Sequence, residues 1–258
     1  MTALRPEHTH NVFSKGFTVV PAAVDQAFAT ELRASLASMV ADQRAAANER
    51  TQIDDYMVHN PMMSDSRFFD LLENATIVDA LDTFLGPTSI LYAYTSSSMP
   101  AGGSNYSRRV HVDSPRVIPG YMTNLGVIVA LDDFRDDNGA TFFLPGSFER
   151  LDPPTEEEFF ADAERVHPRR GDLVVFNART WHYGGLNTTD EDRHAVTLNA
   201  CRAYMRQRFD YPRLVGSERA TSMSPTLRRI LGFDVRVPTS LEEYYLPEDQ
   251  RLYKANQG

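Results

Sequence analysis

From Ser89 onward the chain falls into short runs rich in β-branched and aromatic residues, broken by Gly, Pro, Asn and Asp at intervals of roughly ten residues. That rhythm predicts a β-sandwich or jelly roll. The predicted strands are Ile90–Ser96, Val110–Asp113, Leu125–Leu131, Ala140–Leu144, Leu173–Phe176 and Ala195–Tyr204, with an acidic helical excursion near Thr155–Glu164. Upstream, Phe17–Val20 reads as a strand stopped by Pro21. Val24, Phe28, Leu32, Leu36 and Val40 then recur at four-residue steps, the stripe of an amphipathic helix. A second helical stretch, Ser66–Phe84, ends at Gly86-Pro87. Beyond Arg206 no clean period is visible, which predicts irregular structure with one short helix near Ser224–Leu231. The expected fold is mainly β with flanking helices. It is read as a single domain over 1–258, with helical support in 1–88, a jelly-roll core in 89–205 and a C-terminal extension in 206–258.

With 258 residues, 42% hydrophobic and 24% charged, the chain can bury a sizeable core. A formal charge of -9 argues against duplex nucleic acid or an anionic membrane as partner, so a small-molecule substrate is the better default. Homo-oligomerisation is left open. The single cysteine, Cys201, excludes an intrachain disulfide and a cysteine-rich zinc site, and any metal must be held by His and carboxylates. Met1 to Lys15 lacks the apolar core of a signal peptide, and the longest apolar run, Leu125 to Leu131, is too short to span a bilayer. A reducing cytoplasm is therefore the expected compartment.

Chemistry is concentrated in two places. In His111-Val112-Asp113 the first and third side chains of an extended segment project from one face, so an imidazole and a carboxylate can reach one point. Gly171-Asp172-Leu173-Val174-Val175-Phe176, followed by Trp181-His182, is a strand that delivers a distant second imidazole. Together they make the two-His, one-carboxylate set that leaves positions open on iron(II). Arg193 lies eleven residues after His182, across a Gly-Gly-Leu-Asn-Thr-Thr turn. A hairpin there would aim its fork of donors into the same barrel mouth, suited to a carboxylate.

The pieces HVD at His111, ALDDF ending at Phe134, NGATFFLPGS from Asn138, GDLVVF from Gly171 and WHYGGLNTTDEDR from Trp181 carry a resemblance to the phytanoyl-CoA dioxygenase (PhyH-like) family of iron(II)- and 2-oxoglutarate-dependent oxygenases. Their order and spacing, from Tyr94 to about Tyr204, make the likeness specific. The resemblance implies a double-stranded β-helix of cupin-like kind, iron on His111, Asp113 and His182, and O2 and 2-oxoglutarate as co-substrates. It implies Arg193 as the partner of the distal carboxylate of 2-oxoglutarate, with Thr141 and Asn124 as further contacts. Phe148 departs from the histidine often found after Pro-Gly-Ser in the family, which puts one local contact in doubt. Related halogenases replace the carboxylate ligand with a small residue, so Asp113 disfavours halogenation. Hydroxylation of an unactivated C–H, with 2-oxoglutarate converted to succinate and CO2, is the expected reaction. Desaturation, cyclisation or epimerisation in natural-product biosynthesis is the alternative.

Substrate selectivity is expected from Tyr92, Tyr94, the 96–109 loop, the 114–121 segment, Arg202 and Tyr204, with Arg116 as a clamp for an acidic group. Residues 101–109, rich in Gly and Ser, read as a lid. His8, His10, His59, His167 and His194 have no partner at ligand spacing, or face away from Arg193, and the acidic pairs Asp132-Asp133 and Asp136-Asp137 need no special role. The rivals are a cupin-type enzyme that needs no 2-oxoglutarate, for which Arg193 has no use, and a non-catalytic metal-binding jelly-roll protein.

Overall fold

The computed structural model describes residues 4–45 and 56–251. In chain order it contains α1 (Pro6–Ser14), β1 (Phe17–Val20), α2 (Gln26–Ala45), α3 (Arg67–Leu72), α4 (Ala75–Leu85), β2 (Ile90–Ser96), β3 (Asn124–Ala130), β4 (Thr141–Phe143), α5 (Glu156–Asp162), β5 (Glu164–Arg165), β6 (Leu173–Asn177), β7 (His182–Gly184) and β8 (Ala195–Cys201). Four short helices follow: α6 (Tyr211–Val215), α7 (Ser217–Ala220), α8 (Pro225–Ile230) and α9 (Leu241–Tyr244). No helix among the described residues is long and apolar enough to cross a membrane.

The strands form two antiparallel sheets, one of five strands in the order β1-β6-β3-β8-β2 and one of three in the order β5-β4-β7. Alternation along β3 shows how the large sheet is used. Leu125, Val127 and Val129 face the helices, where they pack in one cluster with Leu32 and Leu36 of α2 and Ile77 and Leu81 of α4. Ile128 and Ala130 point the other way, into a second cluster with Phe17, Phe143, Val174 and Phe176 between the sheets. This is the jelly-roll core.

Local chemistry explains the element boundaries. The stripe along α2 buries Ala29, Leu32, Leu36 and Val40. The single helix expected over Ser66–Phe84 is two, because the Asn74 side chain accepts from the backbone N–H groups of Thr76 and Ile77 and starts a new helix. Thr155 and Glu158 close a capping box at the start of α5, the expected acidic helix. Val110–Asp113 is not a strand: His111 alone forms a bridge, to His182. The last strand ends at Cys201 rather than Tyr204. The N-terminal helix α1 was not anticipated; the backbone N–H of Arg5 donates to His8 Nδ1 at its start. In the C-terminal part α8 forms where a helix was expected, with Ser224 as its cap, while α6, α7 and α9 carried no period that could reveal them.

Gly126 sits opposite Phe176 in the β3–β6 register. A Cβ there would lie 2.1 Å from Phe176 Cζ, so the ring can cross the inner face only because the position has no side chain. Gly126→Ala is therefore expected to lower unfolding stability by about 1–3 kcal/mol through overpacking, as measured by chemical denaturation.

Candidate metal centre

Backbone pairing builds the centre. His111 and His182 exchange two hydrogen bonds, N–H to O at 3.0 and 2.9 Å, although they lie far apart in sequence. The backbone N–H groups of Asp113 and Ser114 both donate to the carbonyl of Ala178, at 2.9 and 3.0 Å. The segment carrying His111 and Asp113 is thus strapped along the turn that leads into β7. One ligand atom from each of His111, Asp113 and His182 lies within 4.8 Å of the other two. Both His Nε2 atoms stand 3.8 Å from Asp113 Oδ1.

The imidazoles are oriented for a metal. His111 Nδ1 lies 2.8 Å from the Arg109 carbonyl and His182 Nδ1 lies 2.9 Å from the Thr180 carbonyl. A carbonyl only accepts, so each Nδ1 carries the proton and each Nε2 keeps its lone pair toward the shared point. Burial and then the neighbouring His182 push the His111 pKa down to about 3, so at neutral pH it is the unprotonated ring a metal requires. Phe143 stacks on His182 with centroids 5.6 Å apart, and Phe176 meets its edge at 5.2 Å. The donor set of two imidazoles and a carboxylate fits a divalent ion of the iron(II) type.

Arg193 begins the run into β8 and is 3% exposed. Its Nη1 and Nη2 donate to the carbonyls of Ser97 and Gly139, both at 3.2 Å. The guanidinium carbon stands 3.9 Å from the centre of the Phe134 ring, and Nε has no partner. No carboxylate among the described residues is in ion-pair range. Burial pushes its pKa down to about 9, which still leaves a cation at neutral pH. Thr141 shares the inner face of β4 with Phe143, two residues from the Gly139 carbonyl that Arg193 holds. Asn124, at the start of β3, donates to Asn199 Oδ1 at 3.2 Å while its own Oδ1 has no partner.

The fold corrects the expectation for Tyr94. Tyr94 does not face the site: it is fully buried among the helices, its hydroxyl donating to the Phe68 carbonyl at 3.1 Å. A bulge between Leu91 and Ala93 reverses the alternation of β2, so Ala93 and Thr95 take the inner face. Arg202 supports its surroundings, Nε donating to the Met122 carbonyl at 3.0 Å and the guanidinium lying over Tyr121 at 4.4 Å. Arg116 is exposed in the segment after Asp113. The 101–109 loop is fastened rather than free: Gly102 and Gly184 donate to the carbonyls of Thr189 and Ser107, and Asn105 donates to that of Ser98. Asp132 has a role after all, accepting from Arg33, Arg170 and the backbone N–H of His194, so the polar recess of about 400 Å³ around it has much of its charge paired within its own wall. His194 faces away from Arg193, bonded to Ser98 Oγ at 2.9 Å.

A family model described as Phytanoyl-CoA dioxygenase (PhyH) matches residues 13–195. An uncharacterised protein of Mycobacterium tuberculosis, Rv1501, is 33% identical over 202 residues, covering 76% of this chain and 74% of its own. Among solved structures, EctD from S. alaskensis with 2-oxoglutarate and 5-hydroxyectoine superposes with a TM-score of 0.67 at 17% identity, covering 80% of this chain and 79% of EctD. The epimerase SnoN in complex with Fe3+, alpha ketoglutarate and nogalamycin RO gives 0.58 at 21% identity, covering 76% of this chain and 83% of SnoN. These two likenesses concern the fold.

His111→Ala is expected to abolish stoichiometric binding of Mn(II) or Fe(II), measured by calorimetry, whereas Arg193→Ala leaves metal affinity as in the parent. Loss of metal in the second variant and retention in the first would reverse their roles.

Proposed function

The chain belongs to the phytanoyl-CoA dioxygenase (PhyH) family, and from that membership we propose that it is an iron(II)- and 2-oxoglutarate-dependent oxygenase that hydroxylates an unactivated C–H of a small molecule. The balanced reaction is substrate C–H plus O2 plus 2-oxoglutarate, giving substrate C–OH, succinate and CO2. Iron(II) supplies the activation of dioxygen, coupled to loss of the 2-oxoglutarate C1 carboxyl. His111, Asp113 and His182 would hold the ion on one side and leave the opposite side open. Arg193 would bind the distal carboxylate, with the Thr141 hydroxyl and Asn124 Oδ1 as further polar contacts. Phe134, Phe143 and Phe176 keep water from the inner end.

The observation that carries the proposal is the buried Arg193 cation with an unpartnered Nε and no carboxylate among the described residues in ion-pair range, Asp132 acting on it only from beyond that range. Inside a protein such a charge is costly unless paired, so the site is built for an anion. A cupin-type enzyme without 2-oxoglutarate, or a non-catalytic metal binder, would have no need of it. Hydroxylation stands ahead of the other outcomes because it needs no further residue than those named; epimerisation is the second choice, favoured by the likeness to the epimerase SnoN. A reducing cytoplasm suits a chain whose single cysteine is buried.

Arg193→Ala removes the charge-assisted hydrogen bonding to the co-substrate, worth about 1.5–3 kcal/mol for a single such bond. The KM for 2-oxoglutarate, read from succinate formation, is expected to rise roughly 10- to 150-fold or more, with Arg193→Lys in between. An unchanged KM would remove Arg193 from the co-substrate site.

A further inference from the structure

Beside the Asp113 arm of the centre lies a second cationic recess, a cavity of about 160 Å³. Its wall includes Phe13 of α1, Arg116, Ile118 and Tyr121 of the segment after Asp113, Glu149, and Arg179 from the turn before His182. Arg179 is 7% exposed, which is unusual for an arginine outside an ion pair. Its Nη1 and Nη2 donate to the carbonyls of Ser114, at 3.4 Å, and Arg150. Nε has no partner, and no carboxylate among the described residues is in ion-pair range. Burial lowers its pKa, as expected of a cation that lacks a counter-charge.

Arg116 shares the cavity and is exposed, and its side chain makes no ion pair among the described residues, Glu149 included. Two cations thus face one carboxylate in a chain whose net charge is -9. The rim is apolar, with Phe13, Ile118 and Tyr121 at 58%, 46% and 37% exposure. Exposed large hydrophobics gathered at one cavity mark a binding surface more than a solvated one. A volume of about 160 Å³ is below that of a whole drug-sized site, but it suits a head group whose body lies along the rim. The recess and the metal centre share one strap, since Ser114, which follows Asp113, accepts from Arg179, and Ala178, which precedes Arg179, accepts from both Asp113 and Ser114.

We propose that this recess holds the acidic head group of the substrate, which makes the substrate class small amphipathic carboxylic acids. The carboxylate pairs with Arg116 and Arg179, and the apolar body lies on Phe13, Ile118 and Tyr121. The assignment rests on the oxygenase function proposed above.

Octanoate and octanamide are matched probes that differ in the charge of the head group. Protein loaded with Mn(II) is titrated by calorimetry first with 2-oxoglutarate and then, once saturated, with each probe; Trp181, the one tryptophan, lies with its ring 5.8 Å from the Arg179 guanidinium and gives a second readout by fluorescence. Octanoate is expected to bind at least about tenfold more tightly than octanamide, and Arg116→Gln to reduce that preference several-fold, Arg179 remaining, with the 2-oxoglutarate isotherm unchanged. Arg116 makes no side-chain hydrogen bond among the described residues, so this variant folds as the parent does; Arg179→Lys should keep part of the preference. Equal binding of the two probes, no octanoate binding, or a preference that Arg116→Gln leaves undiminished overturns the acid recess while the oxygenase function stands. Failure of 2-oxoglutarate to bind the wild-type protein overturns that function, and with it the substrate role of the recess.

Discussion

Two backbone hydrogen bonds between His111 and His182, and two more gathered by the Ala178 carbonyl, hold the candidate centre together. Side chains alone would not bring these residues to one point, because His111 and Asp113 lie in a segment with no strand of its own. The segment borrows its geometry from the turn between β6 and β7. That turn is in turn set by the inner core, where Phe143 and Phe176 pack against each other and against the His182 ring. Burying each such ring contributes about 1.5–3 kcal/mol, so the apolar core is what stabilises the fold, while the strap decides where the ligands stand.

Electrostatics separates the metal ligands from the arginine. Burial and the neighbouring His182 keep the His111 imidazole neutral, and the Asp113 carboxylate gives the triad its attraction for a cation. Arg193 is the reverse case. Removing an unpaired charge from water costs several kcal/mol; two bonds to neutral carbonyls and the face of Phe134, worth about 2 kcal/mol when desolvated, offset only part of it. The triad and Arg193 therefore ask for opposite charges, and the proposed co-substrate, a dicarboxylate that also chelates a metal, would satisfy both. Asp113 supplies the carboxylate of the triad.

The strands were legible in the sequence because period-2 runs are local features, and HVD gained its meaning from the second histidine after the β6 strand; the hairpin expected between His182 and Arg193 does not form, because β7 and β8 lie in different sheets. The β3, β6 and β8 strands and the α2 stripe follow directly from their apolar spacing. Tyr94 was misread because strict alternation assumes no bulge, and nothing in Ile90–Ser96 announces one. Asp132 was passed over because its role depends on Arg33 and Arg170, which approach only in the folded chain. Arg179 was missed for the same reason: its burial comes from the carbonyls of Ser114 and Arg150, and the residues on either side of it give no hint of either.

The proposed function requires one site to hold iron(II) and 2-oxoglutarate together. Visible absorption measured anaerobically while Fe(II) and then 2-oxoglutarate are added tests it most directly. The account predicts a weak charge-transfer band that appears only when both are present and is lost in Arg193→Ala at the same co-substrate concentration. Well-folded protein that binds one Fe(II) per chain and shows no band with 2-oxoglutarate would contradict it.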